Sequence, residues 1–336
     1  LYRPTPFWSR AVERIVAELE TGGVENFRRL ESTLGFFVPT YGAPGWPAAP
    51  GKYEPVLEAL RALRLADPRQ EILLQRFLSG EAQAYADYRV YRAACDDRPL
   101  CVDRASESEL GRPVEQFEFG GARFSRSMLN YLLGLCFLKR HVETRDIRSV
   151  MEIGGGYGTL GEILLGDDRN DVFYLDADIP PTAFAATWYL QERFGKDLVA
   201  AHDALREESV LDLDTLREKY RAAVIGPWLL PRVRGRLDLF VNFISFQEME
   251  PEVVRNYLAE ANRLESRYVL LRNLREGKNR AKSDAEPGVR QPIRGGDYDK
   301  FLPGYRLRAT NVEPFGFKTV DGFHSELRLY ARTGKD

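Results

Sequence analysis

Hydrophobic positions follow two different patterns along the chain, and the change comes near residue 145. Before it, apolar residues recur at helical spacing over residues 11–19, 56–65 and 71–78. Prolines interrupt regular structure over residues 38–51, and a longer helix is predicted over residues 124–142. The first part of the chain is therefore expected to be mostly helical.

After residue 145, short apolar runs alternate with helical patterns, which is typical of βαβ units and a mainly parallel sheet. The final two strands are close enough in sequence to pair as an antiparallel hairpin at the sheet edge. Seven strands are predicted, at residues 149–153, 172–177, 222–225, 237–243, 268–271, 305–312 and 326–332. The sequence thus predicts an α/β fold with two domains, a helical cap on the substrate side over residues 1–122 and a sheet domain over residues 123–336.

Composition narrows the class of protein. The 336 residues are 44% hydrophobic and 29% charged, which supports a packed core. With 48 basic and 50 acidic residues, the net charge of −2 argues against a nucleic-acid partner. The apolar runs are too short for a membrane span, no secretory signal is visible, and three cysteines suit a cytoplasmic protein. No metal site is expected, and homo-oligomer formation stays open.

The sharpest local signal is a glycine-rich loop between a strand and a helix, within the segment EIGGGYGTLG. Glycines permit positive φ, and they let a ligand lie against backbone N–H groups where a helix begins. A purely structural turn is the alternative. The predicted cofactor contacts in this loop are Gly154, Gly155, Gly156, Tyr157 and Gly158.

Two cofactors fit this loop. From Gly156 to Gly161 the sequence satisfies G-x-G-x-x-G, the dinucleotide fingerprint, so an NAD(P)-dependent oxidoreductase is one hypothesis. However, Glu152 ends the first strand, and its carboxylate would repel a pyrophosphate. The same carboxylate suits the ammonium group of S-adenosylmethionine, which carries no phosphate. Electrostatics therefore favours S-adenosylmethionine.

Acidic and polar residues follow the next strands. Asp178 comes 20 residues after Gly158, where an acid can bind ribose hydroxyls beside Ile179, and Asp176 is its rival. A helix-capping role is the alternative for Asp178. Four polar residues lie at or just after the end of the predicted fourth strand, where a parallel sheet opens onto its ligand crevice. They are Asn242, Ser245, Gln247 and Glu248.

Three segments in this order and spacing resemble the class I S-adenosylmethionine-dependent methyltransferases, and more narrowly the sugar O-methyltransferase family. They are EIGGGYGTLG from Glu152, DIP from Asp178 and DLFVNFISFQEM from Asp238. The resemblance spans about residues 125–332. It implies a Rossmann-like seven-stranded sheet with a reversed terminal hairpin, and a cofactor along the C-terminal strand edges. One departure from the family is the long charged segment 202–220, between the second and third predicted strands.

The resemblance further implies O-methylation of a sugar hydroxyl on a small-molecule acceptor: a nucleotide sugar, a glycan or a glycosylated natural product. N- or C-methylation of a non-sugar molecule is an alternative. A sugar hydroxyl needs a general base, for which Glu248 is the first candidate and His324 the second. Structural roles, a helix-capping glutamate or a core histidine, are the alternatives for both.

The remaining predicted contacts surround this reaction centre. Asn242 and Trp228 are assigned to the cofactor, although core packing explains Trp228 equally well. The basic segment 272–299 is expected either to close over phosphates or a carboxylate, or to be a solvated loop. The predicted acceptor contacts are Tyr131, Ser245, Phe246, Gln247, Arg272 and Asn273.

Overall fold

The computed structural model describes residue 2 and residues 6–42, 50–63, 67–281, 288–319 and 322–334. The part before the main sheet is built from helices and one small hairpin. Helices α1 to α6 span Pro6–Gly22, Glu31–Phe36, Pro50–Ala62, Pro68–Leu78, Glu81–Ala94 and Arg126–His141. A 3₁₀ helix spans Val24–Arg29, and strands β1 (Phe117–Phe119) and β2 (Ala122–Phe124) pair antiparallel.

All four predicted helices are present, with shifted ends. The long helix α6 begins at Arg126, because the Oγ atom of Ser125 accepts the Met128 N–H at 3.2 Å and caps it. Phe124, predicted as helical, lies in β2 instead. The predicted helix over residues 56–65 ends at Ala62, and its last two residues lie outside the described part, as do residues 43–49 of the proline-rich stretch.

Strands and helices alternate in the rest of the chain. Strands β3 to β13 span Ser149–Ile153, Phe173–Ala177, Val199–Ala200, Leu211–Asp212, Ala222–Ile225, Val233–Arg234, Leu239–Phe243, Tyr268–Leu274, Tyr305–Asn311, Phe317–Lys318 and His324–Arg332. Helices α7 to α12 span Thr159–Leu165, Pro180–Phe194, His202–Leu205, Leu213–Lys219, Pro251–Arg263 and Asp297–Phe301. Two 3₁₀ helices span Pro227–Arg232 and Ser245–Glu248.

The main sheet has the strand order β11-β13-β10-β9-β3-β4-β7-β5, with β12 paired to the start of β13. The six strands from β10 to β5 run parallel, and β13 is antiparallel to both β10 and β11. The predicted parallel strands and their reversed edge pair are therefore present, and together they make the sheet a mixed one.

The predicted count of seven strands is wrong for this sheet, because the described residues place nine strands in it. All seven predicted strands exist. The two extra strands, β5 and β12, have two residues each, which is too short to leave a periodic pattern in the sequence. Strands β6 and β8 form a separate parallel pair beside the main sheet.

The polar segment 96–114 packs against the helical part of the chain. Leu100 and Val102 are buried in it. The Nζ atom of Lys139 on α6 donates hydrogen bonds to the carbonyl oxygens of Asp96, Arg98 and Leu100 at 2.6–3.0 Å. The buried ammonium group thereby fixes the segment onto α6.

A buried ion pair connects the N-terminal elements to the glycine loop. The Nη2 atom of Arg28 lies 2.9 Å from Oε2 of Glu107, and both side chains are about 1% exposed or less. The other oxygen of Glu107 accepts hydrogen bonds from Ser125 and from the Tyr157 hydroxyl at 2.7 and 3.0 Å. The ring of Phe27 packs 5.4 Å from that of Tyr157.

Residues on both sides of the proposed boundary after residue 122 thus share one hydrophobic core. The two-domain division stays a prediction. Within the described residues, no helix combines the length and the apolar character that a membrane crossing requires.

We expect Arg28→Met to lower the free energy of unfolding by about 3–5 kcal/mol, because it leaves Glu107 buried without its cation. Urea unfolding would measure the change. The matched control is Arg14→Met, which breaks the ion pairs of an exposed arginine with Glu18 and Glu31 and should leave the unfolding curve nearly unchanged. Equal curves for the two variants would contradict the structural role of Arg28.

Candidate functional site

A cavity opens at the C-terminal ends of β3, β4 and β9, the edge where parallel α/β sheets bind their ligands. Its empty space is about 990 Å³ when the open mouth is included. It is lined by Trp8, Phe36, Phe37, Pro39, Ser127, Asn130, Tyr131, Gly154, Gly155, Gly156, Tyr157, Asp178, Ile179, Thr182, Phe243, Ile244, Ser245, Glu248, Met249, Val253 and Tyr257. Nine of these were predicted as site residues from the sequence.

The glycine loop is shaped by two acids beneath and beside it. The Gly155 N–H donates to Oδ1 of Asp176 at 3.1 Å, and the Gly156 N–H donates to Oδ2 of Asp178 at 3.0 Å. A Cβ atom at Gly155 would lie 2.7 Å from Asp176 Oδ1 and 2.8 Å from the Tyr174 hydroxyl. Both of those side chains are buried, so only glycine fits at position 155.

Glu152 is completely buried below this loop and does not line the cavity. The Tyr131 hydroxyl donates to one of its oxygens at 2.7 Å, and the Tyr174 hydroxyl donates to the other at 2.6 Å. Tyr131 does line the cavity. Glu152, predicted as a cofactor contact, is therefore separated from the cavity by the side chain of Tyr131.

Glu152, Asp176 and Asp178 form an acidic cluster in low dielectric. Burial raises the pKa of Glu152 to about 7, against the hydrogen bonds from its two tyrosines. Burial and the neighbouring acids hold the pKa of Asp176 well above its usual range. Burial raises the pKa of Asp178 to about 6. The cluster therefore retains protons at a pH where free carboxyl groups have lost them.

Asp178 and Asp176, the rival candidates for ribose binding, occupy different positions. Asp178 lines the cavity and accepts the Ile179 N–H at 2.7 Å in addition to that of Gly156. Asp176 lies under the loop, and its Oδ2 atom has no hydrogen-bond partner among the described residues. Of the two carboxylates, only that of Asp178 can reach a ligand in the cavity without rearrangement of the loop.

The polar residues that follow β9 mostly bind the strands to one another. Asn242 donates to the carbonyl of Ile153 at 2.8 Å and accepts from Asn273 at 3.0 Å. Gln247 accepts the Leu274 N–H at 2.8 Å through its side chain. Of the polar side chains in this group, that of Ser245 lines the cavity together with Glu248. Phe246 is wholly buried in the core on the other side of the sheet.

Ile244 turns the chain from β9 into the cavity wall. Its φ of 74° is in the left-handed region, where a β-branched residue costs about 1–3 kcal/mol. Its N–H donates to the carbonyl of Arg272 at 2.6 Å, which holds the turn in place. The turn starts the 3₁₀ helix that brings Ser245 and Glu248 to the cavity.

Glu248 is the predicted base that reaches the cavity. Its side chain is 11% exposed, and its Oε1 atom lies 2.7 Å from Nζ of Lys278. A side-chain hydrogen bond joins it to Trp8 of α1. Burial raises the pKa of Glu248, whereas Lys278 and Trp8 oppose the rise. A cavity carboxylate with a raised pKa is a suitable proton acceptor.

His324, the second candidate, lies outside the cavity lining at the start of β13. Its Nδ1 atom is 2.6 Å from Oε1 of Glu276, so its orientation is set by that carboxylate. Trp228 is 46% exposed and packs its ring against His202, also away from the cavity lining.

Arg272, predicted to contact the acceptor, is fully buried behind the cavity wall. Its guanidinium donates to the carbonyl of Asn130 at 2.8 Å and to Ser325 at 3.2 Å. Its Nη2 atom has no hydrogen-bond partner in the described residues, and burial lowers the pKa of Arg272 to about 10. The basic segment after it is described over residues 272–281 and 288–299, so Lys282, Asp284 and Glu286 lie outside the description.

The N-terminal lining residues, among them Trp8, Phe36 and Phe37, had no local signal in the sequence. They lie outside the predicted elements, and they reach the cavity through long-range packing. Ser127 had a usable signal, because it lies four positions before the predicted Tyr131 on α6, and Asn130 lies three positions after Ser127. No group of side chains suited to a metal ion occurs among the described residues.

No family model matches this chain, and no curated protein matches it. Several solved structures of methyltransferases do match this chain. Mitomycin 7-O-methyltransferase MmcR is 12% identical over 98% of this chain and 69% of its own, with a TM-score of 0.37. Magnesium protoporphyrin IX methyltransferase ChlM from Synechocystis PCC 6803, with bound SAH, is 12% identical over 61% of this chain and 82% of its own (TM-score 0.39).

A third similar structure is 1,6-didemethyltoxoflavin-N1-methyltransferase from Burkholderia thailandensis, at 13% identity over 62% of this chain and 79% of its own (TM-score 0.40). Because these TM-scores are below 0.5, the assignment of function depends on the cavity and not on the likenesses.

The acidic cluster predicts a pH-dependent stability. Since the folded protein holds a proton on Glu152 that the unfolded chain releases above its ordinary pKa, this stabilisation is present at low pH. It is lost as the pH rises through about 7. Urea titrations would measure the free energy of unfolding at pH 5 and at pH 8. We expect its decrease from pH 5 to pH 8 to be smaller for Glu152→Gln than for the wild type. Glu207→Gln, at an exposed position, should keep the wild-type difference. Identical differences in all three proteins would refute the buried, protonated state.

Proposed function

We propose that this protein is an S-adenosylmethionine-dependent methyltransferase that acts on a hydroxyl group of a small molecule. The observation that carries the proposal is the position of the acidic cluster directly beneath a glycine loop at the cavity. A bound cation favours loss of the protons that this cluster retains, whereas the pyrophosphate of a dinucleotide, the ligand of the competing NAD(P) hypothesis, gains no such attraction and meets repulsion from any carboxyl group that is charged. A cofactor that has a sulfonium and an ammonium group and no phosphate suits the same electrostatics.

The residues present fit this cofactor. The loop at Gly154–Gly156 has no side chains to keep a ligand from its backbone, and Asp178 offers a carboxylate to ribose hydroxyls at its edge. Ile179 and Tyr157 add apolar surface beside it. Tyr131 stands between the cavity and Glu152, so the cluster acts on a bound cation through that hydroxyl.

S-adenosylmethionine supplies a methyl group on a sulfonium when it is bound. The chain's own part is to orient the acceptor hydroxyl, exclude water and receive its proton. We assign the proton to a carboxylate oxygen of Glu248, which lines the cavity and has a raised pKa. Lys278 stabilises the charged form of Glu248 before the proton arrives.

For the acceptor, we propose the sugar hydroxyl that the family resemblance implies, on a nucleotide sugar, a glycan or a glycosylated natural product. The carboxylate of Glu248 supports a hydroxyl acceptor, because such a group needs a base. N- or C-methylation of a non-sugar molecule is the competing assignment. A screen of acceptors with labelled S-adenosylmethionine and mass spectrometry of the product would identify the methylated atom.

Binding tests the cofactor assignment. Calorimetry should show that the chain binds S-adenosylhomocysteine and does not bind NADH, and the reverse result would favour the oxidoreductase. Asp178→Ala should weaken S-adenosylhomocysteine binding by roughly 1.5–3 kcal/mol, because it removes hydrogen bonds to a charged group. Asp146→Ala, at an exposed position before β3, is the control that should bind normally. Unchanged affinity in Asp178→Ala would remove Asp178 from the ribose site.

Substitution of the base tests the chemistry. Glu248→Gln keeps the size of the side chain but accepts no proton, so turnover should fall roughly 10²–10⁴-fold while S-adenosylhomocysteine affinity stays constant. His324→Ala should slow turnover much less, since His324 does not line the cavity. A larger loss in His324→Ala than in Glu248→Gln would reverse the assignment.

A further inference from the structure

One wall of the cavity is aromatic and comes from the N-terminal elements. Trp8 of α1 packs against Phe36 of α2 with ring centroids 5.6 Å apart, and Phe37 follows directly. On the sheet side, Tyr131 and Phe243 stack 4.9 Å apart with an angle of 5° between their planes. Flat aromatic side chains favour a ligand that presents a flat apolar face of its own.

The charges at the cavity have one sign. The carboxyl groups of Asp178 and Glu248 line it, and no lysine or arginine is among the described lining residues. Among the described cations near the cavity, Lys278 pairs with Glu248, Arg275 pairs with Glu326 at 3.0 Å, and Arg272 is fully buried behind the wall. A phosphate or carboxylate on the acceptor would meet two lining acids and no lining lysine or arginine, and the ammonium of Lys278 is already held by Glu248, which is unfavourable for an anion in a buried site.

The aromatic wall and the proposed base are in contact. The side chain of Trp8 is hydrogen-bonded to Glu248, so the carboxylate lies at the edge of the wall. A molecule whose flat part packs on Trp8 and Phe36 would carry a nearby hydroxyl to Glu248. Proximity of this kind is what an in-line transfer needs from its acceptor site.

From this wall and these charges, we infer that the acceptor is an uncharged molecule with a planar, apolar ring system, which packs on Trp8, Phe36 and Phe37 while its hydroxyl meets Glu248. This inference rests on the proposed methyltransferase function. Among the acceptor classes named above, it selects a glycosylated molecule with a planar aglycone and disfavours a nucleotide sugar.

Three probes that share a glucose unit test the inference by calorimetry on the full chain saturated with S-adenosylhomocysteine. They are 4-methylumbelliferyl β-D-glucoside with a planar aglycone, methyl β-D-glucoside without one, and UDP-glucose with two phosphates. The planar glucoside should bind at least about tenfold more tightly than either of the others. Tighter binding of UDP-glucose, or equal or undetectable binding of the two glucosides, would overturn the inference.

A pair of matched variants locates the binding. Phe36→Leu should weaken the planar glucoside several-fold and leave S-adenosylhomocysteine affinity intact. Phe184→Leu changes a 55% exposed phenylalanine on α8 and should alter neither. If Phe36→Leu binds the planar glucoside as the wild type does, the N-terminal wall is not its site. Failure to bind S-adenosylhomocysteine at all would reject the proposed function, whereas normal binding with UDP-glucose preferred would reject only the acceptor class.

Discussion

The need to bury three carboxyl groups at the ends of two neighbouring strands constrains most of the site. Glu152, Asp176 and Asp178 lie within one low-dielectric pocket, so their charge is tolerable only with hydrogen-bond donors close by or with protons retained. Two tyrosine hydroxyls and the backbone N–H groups of the glycine loop supply those donors. The position of α6, which carries Tyr131, and the absence of a side chain at position 155 both follow from this requirement.

The N-terminal elements belong to the same arrangement and are not a loose addition to the sheet. The Arg28–Glu107 pair reaches the glycine loop through Tyr157, and Trp8 reaches Glu248 at the far side of the cavity. Loss of order in the first 40 residues would therefore affect both the loop and the proposed base. The polar segment 96–114 contributes Glu107 to this coupling, and Lys139 holds the start of the segment against α6.

The sheet was predictable because burial on both faces makes most residues of each parallel strand apolar, and all of them in β7. Two-residue strands leave no such pattern.

At the site, the glycine loop and Asp178 were predictable, since their chemistry is local. Asn242 and Gln247 could not be assigned from the sequence, because a polar residue near a strand end has the same local pattern whether it faces a ligand or joins two strands. In the structure, both side chains join strands. Trp8 was out of reach, because its contact with Glu248 depends on the whole tertiary fold.

The reversed strand order at the sheet edge affects how the chain is synthesised. β11 takes its hydrogen bonds in the sheet from β13, which lies between it and β10 yet follows it in the chain. During synthesis on the ribosome, β11 therefore emerges before β13, the strand with which it pairs. Half-buried and exposed residues alternate along β11. Arginines occupy the exposed positions 306 and 308, so the unpaired strand has a charged face. Charged edge strands resist pairing with other chains, so the same residues protect the nascent protein from aggregation while β13 is still missing.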